Sequence, residues 1–476
     1  MNRSTRCPEN SAYPALSRAR TKPLVLGLAL ACAAGTGSAI TLPGRETEAP
    51  APLPHRTAST WAVSSCDDSG PGTLRDVVDH FAVDGDTIDM TAMTCGSITL
   101  TTGSIITAAN NLTIEGPGPG TTHLFIEGGD VIRPLVHLGN GTLTLSHLSI
   151  WHGYTHSSGT DDALGGCVAS LGTVSLDNVS VKYCQAAAAG TGTARGGGIF
   201  ASNVAASRSM ISSNDARANG GYSLGGGVFA SGTATFDYST ISGNQAFANI
   251  GWHSAGGGSI SYYGGALRQS TVSGNEAGGA GGVVFANGMT AISQSTVSSN
   301  SATYSFIGAG AHVDSSFPVL VENSTITGNI ERNPSNTRFG AGLHLGDNTQ
   351  AIVISSIIAG NRLDDGTALL WFSDINGDTG SVVIGDHNLL GWSALAVPTD
   401  TLFTLDPGLE PLADNGGTTL THALRPTSPA IEAGNNVTGV PFDQRGTGYL
   451  RVIGANADIG AFEFNLNDLI FANDFE

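Results

Sequence analysis

The chain has 476 residues, 66 of them glycine, with 20 Lys and Arg against 39 Asp and Glu and a formal net charge of −19. That length suits two or three ordinary domains or one elongated repeat array. Clustered glycine without a three-residue period excludes collagen, a 40% hydrophobic fraction excludes a disordered chain, and the acidic surplus excludes nucleic acid and anionic membranes as partners.

Arg3, Arg6, Arg18, Arg20 and Lys22 precede the apolar run Leu24–Ala34 and the small-residue site Gly37-Ser38-Ala39. Residues 1–39 therefore read as a signal peptide, too short to span a bilayer. Ala29-Leu30-Ala31 before Cys32 fits a lipobox poorly, so secretion is expected rather than lipid anchoring. Without residues 1–39 the chain keeps 15 basic against 38 acidic residues, a net charge of −23. Residues 40–60 read as a flexible linker. The remaining cysteines are Cys66, Cys95, Cys167 and Cys184, an even number in an exported chain, which argues for two disulfides. Three pairings are open. The local one, Cys66–Cys95 with Cys167–Cys184, is favoured, and free buried thiols are the alternative for the second pair. The first pair would lie in an N-terminal cap over 61–109.

Six near-copies of one octet follow, among them STISGNQA at Ser239 and STVSGNEA at Ser270. Aligned on Asn214, Asn244, Asn275, Asn300, Asn329 and Asn361, they recur at intervals of 30, 31, 25, 29 and 32 residues. Three positions earlier stands a β-branched residue (Ile211 to Ile358), five earlier a serine (Ser209 to Ser356), and eight earlier an apolar residue (Ala206 to Val353). Such alternation predicts strands, and Leu74–Phe81 is the nearest approach to a helix. A second register runs through the same units: GGGIF at Gly196, GGGVF at Gly225, GGGSI at Gly256, GGVVF at Gly281, GAGAHV at Gly308 and GAGLHL at Gly340. Each unit thus reads as a glycine turn, a short strand, a polar turn, a longer strand and an SGN corner.

A repeat of about 30 residues with strands and no helix predicts an all-β, right-handed parallel β-helix of roughly ten coils over residues 110–400. The asparagines suit a sharp left-handed corner and would stack as a hydrogen-bonded ladder, with the serines doing likewise. A catalytic role would require one copy to differ, and as sequence the six do not.

With these features the chain resembles exported bacterial right-handed parallel β-helix proteins. GTLRDVVDHFAVDGDTIDM (Gly72–Met90), between Cys66 and Cys95, is similar to their CSLREA-type segment, and NLTIEGPG (Asn111–Gly118) to their first coil. DPGLEPLADNGGTTLTHALRPTSPAIEAGN (Asp406–Asn435), FDQRG (Phe442–Gly446) and ADIGAFE (Ala457–Glu463) are similar to the segment that ends choice-of-anchor Q proteins. The resemblance implies the fold and export, and little chemistry. On it, residues 401–464 would close the solenoid and 465–476 form an acidic tail, either a sorting signal or a last strand.

Candidate chemistry is sparse. Lys182, the one lysine after residue 39, could serve a lyase as base. DHNLLG (Asp386–Gly391) resembles a pectate-lyase signature but also a structural stretch of the resembled family. Asp161-Asp162 and Asp364-Asp365 are carboxylate pairs in glycine-bearing loops several coils apart, read as solvated loop residues or a weak calcium site more readily than as a hydrolase pair. His147, His152 and His156 lie in SHLSIWHGYTH, read as an exposed polar loop in which Trp151 and Tyr154 would contact sugar. In the glycine register Phe200, Phe229, Ile260, Phe285, His312 and His344 share a parity. They form either an outward, largely aromatic stripe for sugar faces or, with the register inverted, core. Asp443, Arg445, Asp458 and Glu463 read as an ion-pair network closing the solenoid.

The reading is a secreted or surface-bound β-helix scaffold, non-catalytic, contacting a polysaccharide or another surface component. A polysaccharide lyase or glycoside hydrolase with a long groove is the alternative. No cofactor, metal ligand set or transmembrane segment of the mature chain is expected, with Ca²⁺ the one ion that would bridge so acidic a surface to a polyuronate.

Overall fold

A computed structural model describes residues 57–118, 123–249, 253–303, 307–332, 340–366 and 370–466. The expected leader, most of the linker and all but the start of the acidic tail lie outside them.

The repeats stack as a parallel β-solenoid of about ten turns, with three long sheets. The first has 12 strands, from Thr60–Ala62 to Val382–Asp386; the second has 12, from Ser97–Thr99 to Leu402–Phe403; the third has ten, from Ile105–Thr107 to Ile375–Gly377. At about 4.8 Å per strand the coils rise roughly 50 Å. Period-two alternation fills the interior: Leu143, Val174, Val204 and Ala234 stack in one inward column, and Leu145, Leu176, Ala206, Phe236 and Leu267 in the next.

One turn shows the path. Thr173–Asp177 lies in the first sheet, Ser180–Lys182 in the second and Ile199–Ala201 in the third. The longer strand expected before each SGN is in fact two strands, broken at a left-handed residue: Arg208, Tyr238, Gln269, Gln294, Asn323 and Ser355 all have positive φ. The ladder asparagines are not themselves left-handed. That strain falls one residue earlier, on Ser213, Gly243, Gly274, Ser299, Gly328 and Gly360, which frees each asparagine to turn its amide inward.

The stretch between SGN and the glycines builds something unanticipated. It pairs as a nine-stranded sheet running from Tyr154–Ser157 to Leu370–Phe372 and a four-stranded one from Ala163–Leu164 to Ser254–Ala255. The two enclose a small core of Ala163, Ala186, Ala188, Ala194, Ala216 and Ala218, forming a flange on the main tube. At its neck Gly198, Gly227 and Gly258 lie against the amides of Asn214, Asn244 and Asn275, where a Cβ would come within 3.0–3.2 Å. In the turn before, Cys167 and Cys184 take the glycine and asparagine places and are bonded to each other.

The N-terminal end is closed by α1 (Leu74–His80), the candidate helical stretch, which buries Leu74, Val77 and Val78. Thr73 caps it by accepting the Asp76 N–H. The Cys66–Cys95 disulfide joins the chain before α1 to the chain after the adjoining strand. At the other end Leu395 and Val397 pack on the main core.

Residues 406–464 do not close that end. They fold back along the outer face of the second sheet as a clasp, reaching Gln269, which donates to the Asp443 carbonyl at 2.9 Å across 174 residues of sequence. The face beneath explains why: from Thr271 onward its outward column reads Thr271, Thr296, Thr325, Ile357, partly apolar and hydroxyl-rich. Gln444 bonds Thr271 and Thr296 at 3.0 and 2.6 Å, Thr325 accepts from the Ala461 N–H at 3.0 Å, and Ile357 joins Leu424, Ala430, Ile459 and Phe462 in a second core.

Candidate functional site

The outer face of the second sheet divides in two. The clasp covers its C-terminal half; the N-terminal half is open. Because Ile126, Ile150, Val181 and Ile211 point inward, their neighbours Phe125, Trp151, Lys182 and Met210 point out. Trp151 lies at the centre: its ring is 4.4 Å from Phe125 and 5.7 Å from Tyr183, with the Lys182 ammonium 5.7 Å above it. His152 stacks on Tyr183 at 5.2 Å and pairs with Asp130 at 3.1 Å. His152 and Tyr183 are both left-handed corner residues, which throws their rings to the same side. Trp151 Nε1 and Ser180 Oγ are buried without a hydrogen-bond partner. The structure therefore joins Trp151 to Phe125, Tyr183 and Lys182, while Tyr154 goes to the flange with His156. Phe125 and Tyr183 carry no repeat signal of their own; only strand pairing reveals them.

The stripe read from the glycine register is not an open face. Phe200 stacks on Phe229 at 5.6 Å and Tyr262 meets Phe229 edge-on at 5.2 Å, but the flange residues Leu224 and Ala255, together with Ile307, cover the column. Phe229, Ile260, His312 and His344 are buried, and Phe200 is partly so. Phe285 is not in the column at all: Val284 pairs with Ile260 and His312, which puts Phe285 in the main core at 0% exposure. His312 and His344 share a hydrogen bond between their Nδ1 atoms at 2.9 Å, and Asp378 lies 3.6 Å from His344 Nε2. Burial and the neighbouring His344 push His312 down to about 3. Its hydrogen bond with His344 holds Asp378 below the usual carboxylate range.

The six asparagines form a continuous buried ladder. From Asn244 on, each Oδ1 accepts from the backbone and side-chain N–H of the rung before, at 2.8–3.1 Å, Asn214 accepts from the Cys184 N–H, and each Nδ2 also donates to a carbonyl of the preceding coil. Asn361 ends it by donating twice to Asp374 at 2.8 Å, and burial pushes that carboxyl up to about 7. The serines form a second ladder that ends on Asn388 Oδ1 at 3.1 Å, so the asparagine of DHNLLG terminates a structural column. Asp162 binds Arg195 on the flange, whereas Asp364 lies on the eighth strand of the nine-stranded sheet, so the two carboxylate pairs are not brought together. Asp443 and Arg445 pair at 2.8 Å inside the clasp, with the guanidinium between Tyr449 and Phe462 at 4.1 and 3.8 Å. Asp458 and Glu463 accept backbone N–H groups there. That network holds the clasp's own shape on the flank of the solenoid.

A cavity of about 470 Å³ opens where the clasp meets the second sheet and its asparagine corner, lined by Ser298, Ser299, Arg362, Asp406, Glu410 and His422 among others. His422 Nε2 is 2.8 Å from Ser298 Oγ, and its Nδ1 is 2.7 Å from the Glu410 carbonyl. Asp406 is taken by Arg425 at 2.5 Å. No family model matches the sequence, and no curated protein matches it. Among solved structures, two are similar to it. A structure described as the crystal structure of pectate lyase Pel9A has a TM-score of 0.41 at 13% identity, covering 86% of this chain and 97% of that one. A rhamnogalacturonan lyase has a TM-score of 0.38 at 10% identity, covering 78% and 96%.

Proposed function

We propose that the protein is an exported β-helix scaffold that binds glycan, without cleaving it, through the open half of the second sheet. The observation that carries this is the cluster of Phe125, Trp151 and Tyr183 on a flat face, with Lys182, His152 and the unpartnered Trp151 Nε1 at hand. Aromatic rings supply area for apolar sugar faces, and unpaired donors reward a partner that brings hydroxyls. The leader, the two disulfides and the resemblance to choice-of-anchor proteins support export. Calcium would assist only an acidic glycan, by bridging it to this surface.

The test is binding of the mature chain to neutral and acidic polysaccharides, with and without Ca²⁺. Trp151→Ala should weaken binding about tenfold, or ~1.4 kcal/mol. Binding that ignores this substitution, or no binding to any polysaccharide, overturns the reading. A second reading, a polysaccharide lyase or glycoside hydrolase, is favoured by Asp406, Glu410, Arg362 and His422 converging on one cavity. It requires unsaturated products or new reducing ends from the same panel, lost on Glu410→Gln.

A further inference from the structure

Two of the six copies depart from their siblings at the corner, and the clasp has folded onto one of them. At the left-handed corner before the ladder asparagine, four of six copies carry glycine; Ser299 instead holds φ 58°. A non-glycine residue there is strained, a feature that gathers at functional positions. Ser213 in the first copy shares the geometry, three rungs away from the fourth. In the fourth copy the neighbouring Ser298 links the corner to His422.

The hydrogen bonds around Ser299 have one consistent direction. The Glu410 carbonyl can only accept, so His422 Nδ1 carries the proton. Nε2 of the neutral ring is then an acceptor, and Ser298 Oγ donates to it at 2.8 Å. Ser298 Oγ in turn accepts from Ser299 Oγ at 3.2 Å. Ser298 is fully buried; Ser299 is exposed and lines the cavity. Burial lowers the His422 pKa, which keeps the ring neutral and able to take a proton. Nucleophile, base and the group that orients the base are thus in hydrogen-bond series beside a cavity of substrate size.

We propose that Ser299 is the nucleophile of a carboxylic-ester hydrolase site, with Ser298 passing its proton to His422 and Arg362 facing the oxyanion. Ser299 Oγ bonds to the ester carbonyl carbon while its proton moves to Ser298 and that of Ser298 to His422 Nε2. The tetrahedral adduct collapses, the C–O bond to the alcohol breaks, and the alcohol leaves with the proton returned along the same path. Water then attacks the carbonyl carbon of acyl-Ser299 and gives up a proton to His422 through Ser298; the bond from that carbon to Ser299 Oγ breaks, Ser299 Oγ takes the proton back along the same path, and the acid leaves. Leu405, Pro407 and Leu409 wall the cavity and suit a small acyl group. This activity is independent of the glycan-binding face.

The experiment treats the full mature chain with a fluorophosphonate probe, maps the adduct by peptide mass spectrometry, and follows p-nitrophenyl acetate hydrolysis. The expected result is one adduct, on Ser299, and turnover that falls at least about 100-fold in both Ser299→Ala and Ser299→Gly. Ser299→Gly restores the residue of the sibling copies, so loss of folding does not confound it. His422→Gln should abolish labelling, and Ser213→Gly, which removes the other left-handed corner serine, should leave both readouts unchanged. A probe that labels elsewhere or not at all, or hydrolysis that persists in Ser299→Gly, overturns the proposal.

Discussion

Asp374 shows how much one side chain depends on where a column ends. It stands in the glycine column, one turn beyond Gly342, and accepts the backbone N–H and one side-chain N–H of the last ladder asparagine, Asn361. Burial pushes its carboxyl up to about 7. Its native form keeps a proton that the unfolded chain has lost, so its contribution to stability is complete below about pH 4 and is lost as pH rises through about 7. Glu463, also pushed up to about 7 by burial, adds a slope of the same sign. Asp374→Asn keeps the acceptor without the charge. The unfolding free energy from urea titrations should therefore fall less in the variant between pH 4 and 8, by about 1–3 kcal/mol at the alkaline end. Residue identity also misled in one instance. Phe285 reads as the partner of Ile260 because both end a glycine run, yet Gly282, not Gly281, abuts its ladder amide as Gly258 abuts Asn275. The shortened 25-residue interval moves that strand by one, and a one-residue shift exchanges the two faces.

Among elements, the ladders hold the solenoid's most demanding polar groups. An asparagine inside the neck uses both acceptor sites and both amide hydrogens, which is why burial at 0–1% is tolerated there. Removing a middle rung strands its neighbours. Asn275→Ala would leave the Asn244 backbone and side-chain N–H groups without an acceptor and is expected to cost about 2–4 kcal/mol in equilibrium unfolding. A loss below 1 kcal/mol would show that water replaces the rung. The octet made this column legible from spacing alone. The flange was not legible, because its strands are short, alanine-rich stretches such as Gln185–Ala188, with no apolar alternation to announce a sheet. Their stability comes from the coil above and below rather than from their own propensity.

For the whole molecule the deciding feature is the clasp. It divides the outer face of the second sheet into a covered half and an open aromatic half, with a cavity at the border. Gln444 is its central fastening, fully buried and bonded to Thr271, Thr296 and Thr419. Gln444→Ala should loosen residues 406–464 while the coils stay folded. Limited proteolysis would then cut the clasp at least about tenfold faster, with little change in the unfolding midpoint of the solenoid. Simultaneous loss of both would mean that clasp and coils form one cooperative unit.

The sequence by itself determined the solenoid, because a thirty-residue period in β-branched, serine and asparagine positions has few other ways to satisfy its backbone and amides. It also marked the segment 406–464 as special. Only the tertiary structure decided where that segment goes, which serine meets His422, and which of two parities faces out. The first two depend on contacts spanning more than a hundred residues, and the third on the register of one strand against the next, none of which leaves a periodic trace in the chain.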